Sequence, residues 1–197
     1  RSSRGVVLEM DGIAMVTAEA PDEALRLLEA VPEANTWNVM GGALTQAVAE
    51  ALDLEEGSRC YQAAYFRGDP LPVRADVRPL DMSFFQAVLD GYSLFHDPEY
   101  VEDRLKAGVI FGAFVDGCLA GFVGEHHEGS MGMLEVFPPY RGHGLGLALE
   151  SFQINRYLSQ GRVPFDQVIV GNEKSMGLQR KVGMELSKDT MSWLHRK

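Results

Sequence analysis

The residues whose types and spacing could do chemistry are concentrated in EVFPPYRGHGLGLALESF, residues 135–152. Gly142, Gly144 and Gly146 stand at every second position behind Arg141, between an apolar run ending at Phe137 and a stretch with helical periodicity. Glycine lets a ligand come close to the main chain, and the first amides of a helix, backed by its dipole, hold anions. With Arg141 as a fixed cation, the pattern suits a diphosphate. Two familiar phosphate-binding patterns do not fit. A Walker loop needs a lysine after its last glycine, and none follows Gly146. A dinucleotide fingerprint needs a third glycine three positions after the second, where this chain has Leu147, and it belongs on a first strand rather than behind several hairpins. What remains is R-x-x-G-x-G, Arg141-Gly142-His143-Gly144-Leu145-Gly146. The plainer alternative is a strand–helix turn that needs positive φ at one glycine.

Before this run lie Glu125, His126, His127, Glu128 and, within it, Glu135, the candidate proton-transfer groups. Histidine titrates near neutrality, and adjacent histidines on a strand face opposite sides. No further ligand cluster accompanies them, so no metal site is expected. Cys60 and Cys118 are far apart and read as two thiols in a reducing cytosol rather than a disulfide. The net charge of −10, from 18 basic and 28 acidic residues, argues against nonspecific nucleic-acid binding. Residues 1–75 hold six arginines against twelve acids, so Arg141, Lys174, Arg180 and Lys181 are local exceptions where an anion would bind.

These groups need elements to position them. Of the 197 residues, 46% are hydrophobic, enough for a substantial core. No apolar run approaches a membrane span, and no secretory pattern opens the chain. Because it begins at Arg1 rather than Met, residues upstream are expected. Residues 5–19 read as a hairpin around Asp11-Gly12, 21–31 as a helix opened by Pro21, 43–54 as a second helix, and 59–66 as a strand. RGDPLPVRAD has the composition of a linker. Beyond it come a short strand, a helix capped by Asp81, a helix over 97–108, and a hairpin around Asp116-Gly117. A strand over 131–137, a helix from about Gly144 to Gln160, a strand over 164–170, a helix over 173–183 and a closing strand pair complete the pattern. This is a mixed α/β fold with antiparallel hairpins and one βαβ crossover.

V-x-P-x-Y-R-G-x-G-L-G-x-A-L resembles the acyl-CoA-binding motif of the GNAT acyltransferase superfamily. GNEKSMGLQRKVGM supports the resemblance, with Asn172, Ser175, Leu178, Lys181 and Gly183 in that superfamily's N-x-x-S-x-x-L-x-x-K-x-G pattern. The resemblance covers about residues 75–197 and implies a GNAT domain there. FPPYR, Gly161 to Pro164, Asn172-Glu173 and Trp193 are similar to features of glycine N-acyltransferases. That branch implies a smaller α/β half over residues 1–70 resembling a degenerate GNAT unit.

The resemblance implies direct transfer of an acyl group from acetyl-CoA or another coenzyme A thioester to the amine of a small molecule or amino acid. A peptide or protein N-terminus and a catalytically silent acyl-CoA sensor are the alternatives. It further implies that the amide of Leu134 polarises the thioester carbonyl, that Glu135 and Val136 border the pantetheine arm, and that the amides from Gly142 through His143 and Leu145 to Gly146 hold the diphosphate beside Arg141. Asn172, Ser175 and Leu178 would line the cofactor arm, and Lys181 would meet its phosphates. The position of the superfamily's catalytic glutamate falls on Ser130, a departure. His127 or Glu128 could act instead through a water, with Glu135 a further candidate. The tyrosine that protonates the thiolate in many relatives is replaced by Gln179, leaving solvent or a residue such as Tyr157. A cytoplasmic protein is expected, and a homodimer by analogy with the superfamily alone.

Overall fold

In the computed structural model, which describes residues 4–94 and 96–197, both Asp-Gly hairpins form as their sequences dictate. Asp11 and Gly12 have φ of 51° and 79°, and Asp116 and Gly117 have 50° and 79°. Positive φ at both central residues gives the mirror-type turn whose twist matches that of paired strands. The elements are β1 (Gly5–Met10), β2 (Ile13–Ala18), α1 (Pro21–Leu28), β3 (Thr36–Met40), α2 (Gly42–Leu52), β4 (Leu54–Ala64) and β5 (Asp76–Pro79). A 3₁₀ turn at Met82–Phe84 leads into α3 (Phe85–Gly91), followed by α4 (Pro98–Lys106), β6 (Phe111–Val115), β7 (Cys118–Glu125) and β8 (Met131–Val136). Then come α5 (Leu145–Ser159), β9 (Phe165–Ile169), α6 (Glu173–Val182) and β10 (Glu185–Arg196).

The chain forms two compact units, each discontinuous in sequence. The first comprises residues up to Ala63, Gln167–Asn172 and Leu186–Lys197; the second comprises Ala64–Asp166 and Glu173–Glu185. In the first unit the strand order is β1-β2-β3-β10-β4. β2 and β3 are parallel and joined through α1, a second crossover that the sequence did not announce. β10 runs antiparallel to β3, from Met191↔Met40 to His195↔Thr36. Ala14, Leu28, Trp37, Val39, Val48 and Leu194 form the centre of its core. The expected closing strand pair is instead one strand of 12 residues. Lys188-Asp189 looks like a turn, but Ser187 carries the strand through it. Its Oγ accepts the Gln62 amide at 3.0 Å and donates to the Asp189 carbonyl at 2.6 Å.

In the second unit β8, β7, β6 and β5 form an antiparallel meander. Successive residues of β7 face opposite sides. Phe122 packs with Val88, Leu89, Val101 and Leu105 of α3 and α4, whereas Val123 packs with Leu145 and Leu149 of α5. The sheet is thus held between α3–α4 on one face and α5 on the other. Asp81 caps the 3₁₀ turn by accepting the Ser83 amide at 2.9 Å, and Asp97 caps α4 by accepting the Tyr100 amide at 3.0 Å.

Candidate active site

β8 bends where the candidate chemistry begins. Its pairing with β7 passes from Gly124↔Gly132 to Phe122↔Glu135, so one extra residue is accommodated on β8. Met133, buried and with φ of 51°, takes up that bulge. On the other edge, parallel pairing of β8 with β9 is confined to Met131↔Asp166. The Phe137 amide donates to Ala120 of β7 at 2.9 Å. Since amides alternate along a strand, those of Val136 and Leu134 point to the opposite edge. Leu134 and Val136 side chains pack toward α5, and Glu135 faces α3, where its carboxylate accepts the Ser93 amide at 3.1 Å and the Ser93 hydroxyl.

Past β8, Pro138 and Pro139 start a 3₁₀ turn that delivers Arg141 to the end of the strand. Arg141 Nε donates to the Val136 carbonyl at 2.7 Å, fixing the guanidinium against that edge. Gly142 and Gly144 have φ of 82° and 83°, a region that strongly favours glycine. Gly144 is the N-cap of α5, and no side chain caps this helix. Gly146 differs. Its φ is ordinary, and an added Cβ would meet only Val136 Cγ2 at 3.8 Å, a normal contact. Neither backbone nor packing requires glycine there. His143 is exposed at the tip of the loop, and Leu145 is anchored in the core beneath it. A cleft of about 430 Å³ lies beside the strand end, lined by Asp90, Gly91, Glu135, Phe137, Pro138 and Arg141.

At the other end of β8, Ser130 is fully buried and its Oγ donates to Glu128 Oε1 at 2.5 Å. The carboxylate of Glu128 is therefore held beside Ser130. His127 is drawn toward α4: its Nε2 lies 2.9 Å from Asp103 Oδ2, and its ring stacks on Tyr100 with centroids 5.3 Å apart. His126 hydrogen-bonds through Nδ1 to the Tyr100 hydroxyl, and its ring occupies the space a side chain at Gly132 would need. Burial keeps His126 neutral below its ordinary range and pushes Tyr100 up. Glu125 bonds Arg156 at 2.9 Å and Arg162 at 2.8 Å; against its desolvation, these cations hold the carboxyl below the usual range. Tyr157 is committed as well, donating to the Gly129 carbonyl at 3.0 Å.

Sequence reasoning missed Tyr100, Glu150 and Asp166. Glu150, 2% exposed on α5, begins a buried i, i+3, i+4, i+7 stripe with Gln153, Ile154 and Tyr157. An acid heading such a stripe is the signal that was legible. It hydrogen-bonds Gln179, whose Nε2 donates to Asp166 Oδ2 at 2.6 Å. Of the remaining predicted cofactor contacts, Ser175, Leu178 and Lys181 sit on α6 in the second unit, with Lys181 exposed. Asn172 belongs to the first unit, where its amide donates to Ile169 at 3.0 Å. Among the described residues there is no cluster of three or more metal-ligating side chains.

No protein-family model and no curated protein matches the sequence. Solved structures do match. A Drosophila protein is 18% identical with a TM-score of 0.74, over all of this chain and 75% of its own. A GCN5-related N-acetyltransferase of Kribbella flavida is 16% identical with a TM-score of 0.62, over 93% and 80%. A tandem GNAT protein from the clavulanic acid biosynthesis pathway is 15% identical with a TM-score of 0.56, over 96% and 78%. With a bulged strand feeding a glycine-fronted helix in a mixed α/β architecture, the chain has the fold of the GNAT N-acetyltransferases.

Proposed function

We propose that this protein is an acyl-CoA-dependent N-acyltransferase, with acetyl-CoA as donor and the amine of a small molecule or amino acid as acceptor. The observation that carries the reading is Gly146. Its lack of a side chain serves neither backbone nor packing, but it keeps the uncapped amides of α5 open to a bulky anion. The residues present fit a diphosphate: the amides from Gly142 to Gly146, the helix dipole, and Arg141 at the strand end. Lys181, Ser175 and Leu178 on α6 are the further contacts proposed for the cofactor.

In this reading the Leu134 amide donates to the thioester carbonyl, and Val136 pairs with the pantetheine arm. A donor aimed at a developing oxyanion contributes about 3–4 kcal/mol. Glu128, steadied by Ser130, takes the proton from the incoming ammonium, directly or through one water. Glu128 is favoured over His127 because Asp103 and Tyr100 hold that ring elsewhere. Glu135, fixed by Ser93 beside the cleft, orients the acceptor. The first unit is read as a noncatalytic second GNAT-like unit. The neighbour described as a tandem GNAT protein supports this.

Gln179 and Ser130 at positions of catalytic residues favour a second reading, a silent acyl-CoA-binding module. Free-thiol release from acetyl-CoA with a panel of amines and amino acids separates the two. Turnover that drops on the order of 100-fold in Glu128→Gln, with coenzyme A affinity retained, supports the enzyme. Calorimetric binding of coenzyme A without release of thiol across the panel supports the silent module.

A further inference from the structure

Position 179 is where the resemblance places an acid for the leaving thiol, and glutamine has no proton to give. Gln179 is nevertheless held with care. It is 1% exposed, its Nε2 donates to Asp166 Oδ2 at 2.6 Å, and it hydrogen-bonds the carboxyl of Glu150. Glu150 Oε1 and Gln179 Oε1 are buried and have no hydrogen-bond partner among the described residues. A charged carboxylate is strongly disfavoured in such a place. Burial first, and then the charge of Asp166, keep Glu150 protonated up to about pH 8, against the opposing bond from Gln179. Asp166 on β9 is the charged group acting on it, and α6 presents the neutral Gln179. A protonated carboxyl is an O–H donor, and the Oε1 without a partner can carry that hydrogen.

We propose that Glu150 supplies the proton required by the departing thiolate, with Gln179 and Asp166 positioning its carboxyl. The inference rests on the acyltransferase reading. As the amine nitrogen bonds the carbonyl carbon, the C–S bond breaks and its electron pair goes to sulfur. The O–H bond of Glu150 then breaks, directly or across one water, and the proton joins sulfur to give the free thiol. Glu150, left as carboxylate, regains a proton from water, while Glu128 releases to water the proton taken from the ammonium and then takes and releases the second, which the nitrogen loses as the amide forms.

The test combines a spectroscopic titration of the protein alone with steady-state kinetics, on wild type, Glu150→Gln and Glu150→Leu. Infrared spectra should show a protonated-carboxyl band that persists at pH 7, is lost near pH 8, and is absent from both variants. Thiol release by wild type should decline above about pH 8. Glu150→Gln should lower kcat on the order of 100-fold, abolish that decline, and leave coenzyme A affinity by calorimetry unchanged. Wild-type turnover and pH profile in Glu150→Gln would overturn the proposal, as would a carboxylate band at pH 7 or a loss confined to coenzyme A affinity. Absence of turnover in wild type would overturn the acyltransferase reading along with it, whereas the preceding outcomes leave that reading standing.

Discussion

At Gly146, stability and the proposed coenzyme A binding pull in different directions, and this makes the residue diagnostic. Gly146→Ala should raise stability by about 0.5–1 kcal/mol in chemical denaturation, because glycine inside a helix is poorly favoured and the new Cβ has room. Gly146→Leu should fold equally well yet lose coenzyme A binding by calorimetry. Normal binding in a folded Gly146→Leu protein would remove the cradle. Gly144 offers no such clean test, since its φ of 83° would strain any replacement. Glu150 gives a second residue-scale expectation, with a definite sign. Its folded-state pKa of about 8 lies above the ordinary 4.5, so across that window the folded state holds a proton the unfolded state has released. Stability should therefore fall as pH rises from 4.5 to 8 and stop falling above it. In Glu150→Gln this contribution to the slope disappears, and the variant should outlast wild type in denaturation at pH 8.5 while losing that advantage near pH 5.

The bulge of β8 interrupts the strand beside the proposed thioester site. It absorbs an extra residue at Met133, re-aims the amides of Leu134 and Val136, and leads the chain through two prolines to the helix end. Met133 adopts left-handed backbone with a bulky side chain, at a cost of roughly 1–2 kcal/mol. Both Met133→Ala and Met133→Gly lose core packing, since the side chain is 2% exposed. Glycine should nevertheless be the less damaging of the two by about 1 kcal/mol, the reverse of the usual order in strands. Alanine proving the more stable in urea denaturation would show that the strand re-registers and the bulge is lost. The loop at 126–130 is fixed differently, by Tyr157 and Arg162 bonding the Gly129 carbonyl at 3.0 and 3.1 Å. This bracing holds Ser130 and Glu128 at the start of the strand.

For the molecule as a whole, the decisive feature is that neither unit is a continuous stretch of chain. β10, the last strand in the sequence, stands between β3 and β4 in the first unit. A fragment ending at residue 70 would present two strand edges with no partner between them and lack Met191 and Leu194, both fully buried. It should be unfolded by circular dichroism and proton NMR, although its composition resembles that of an independent α/β domain. In the full chain, Leu194→Ala should cost about 2–5 kcal/mol by denaturation even though only three residues follow it in the sequence. A cooperatively folded fragment, or a negligible effect at Leu194, would mean that β10 is dispensable to the unit. The charge of −10 adds self-repulsion, so moderate salt should aid stability.

Local chemistry was legible without coordinates. The Asp-Gly hairpins, the cap at Asp81, the glycine run and the helix behind it depend on neighbours along the chain, and each formed where the residues require. The family resemblance drew on the same local signals, and the fold agrees with it. What depends on residues far apart in sequence was decided only in three dimensions. Folding brought β10 beside β3 and seated Glu128 on Ser130. It withdrew His127 toward Asp103, and it buried Glu150 against Gln179 and Asp166. A motif is written in adjacent residues, but desolvation and pairing are set by whatever the rest of the chain packs against them.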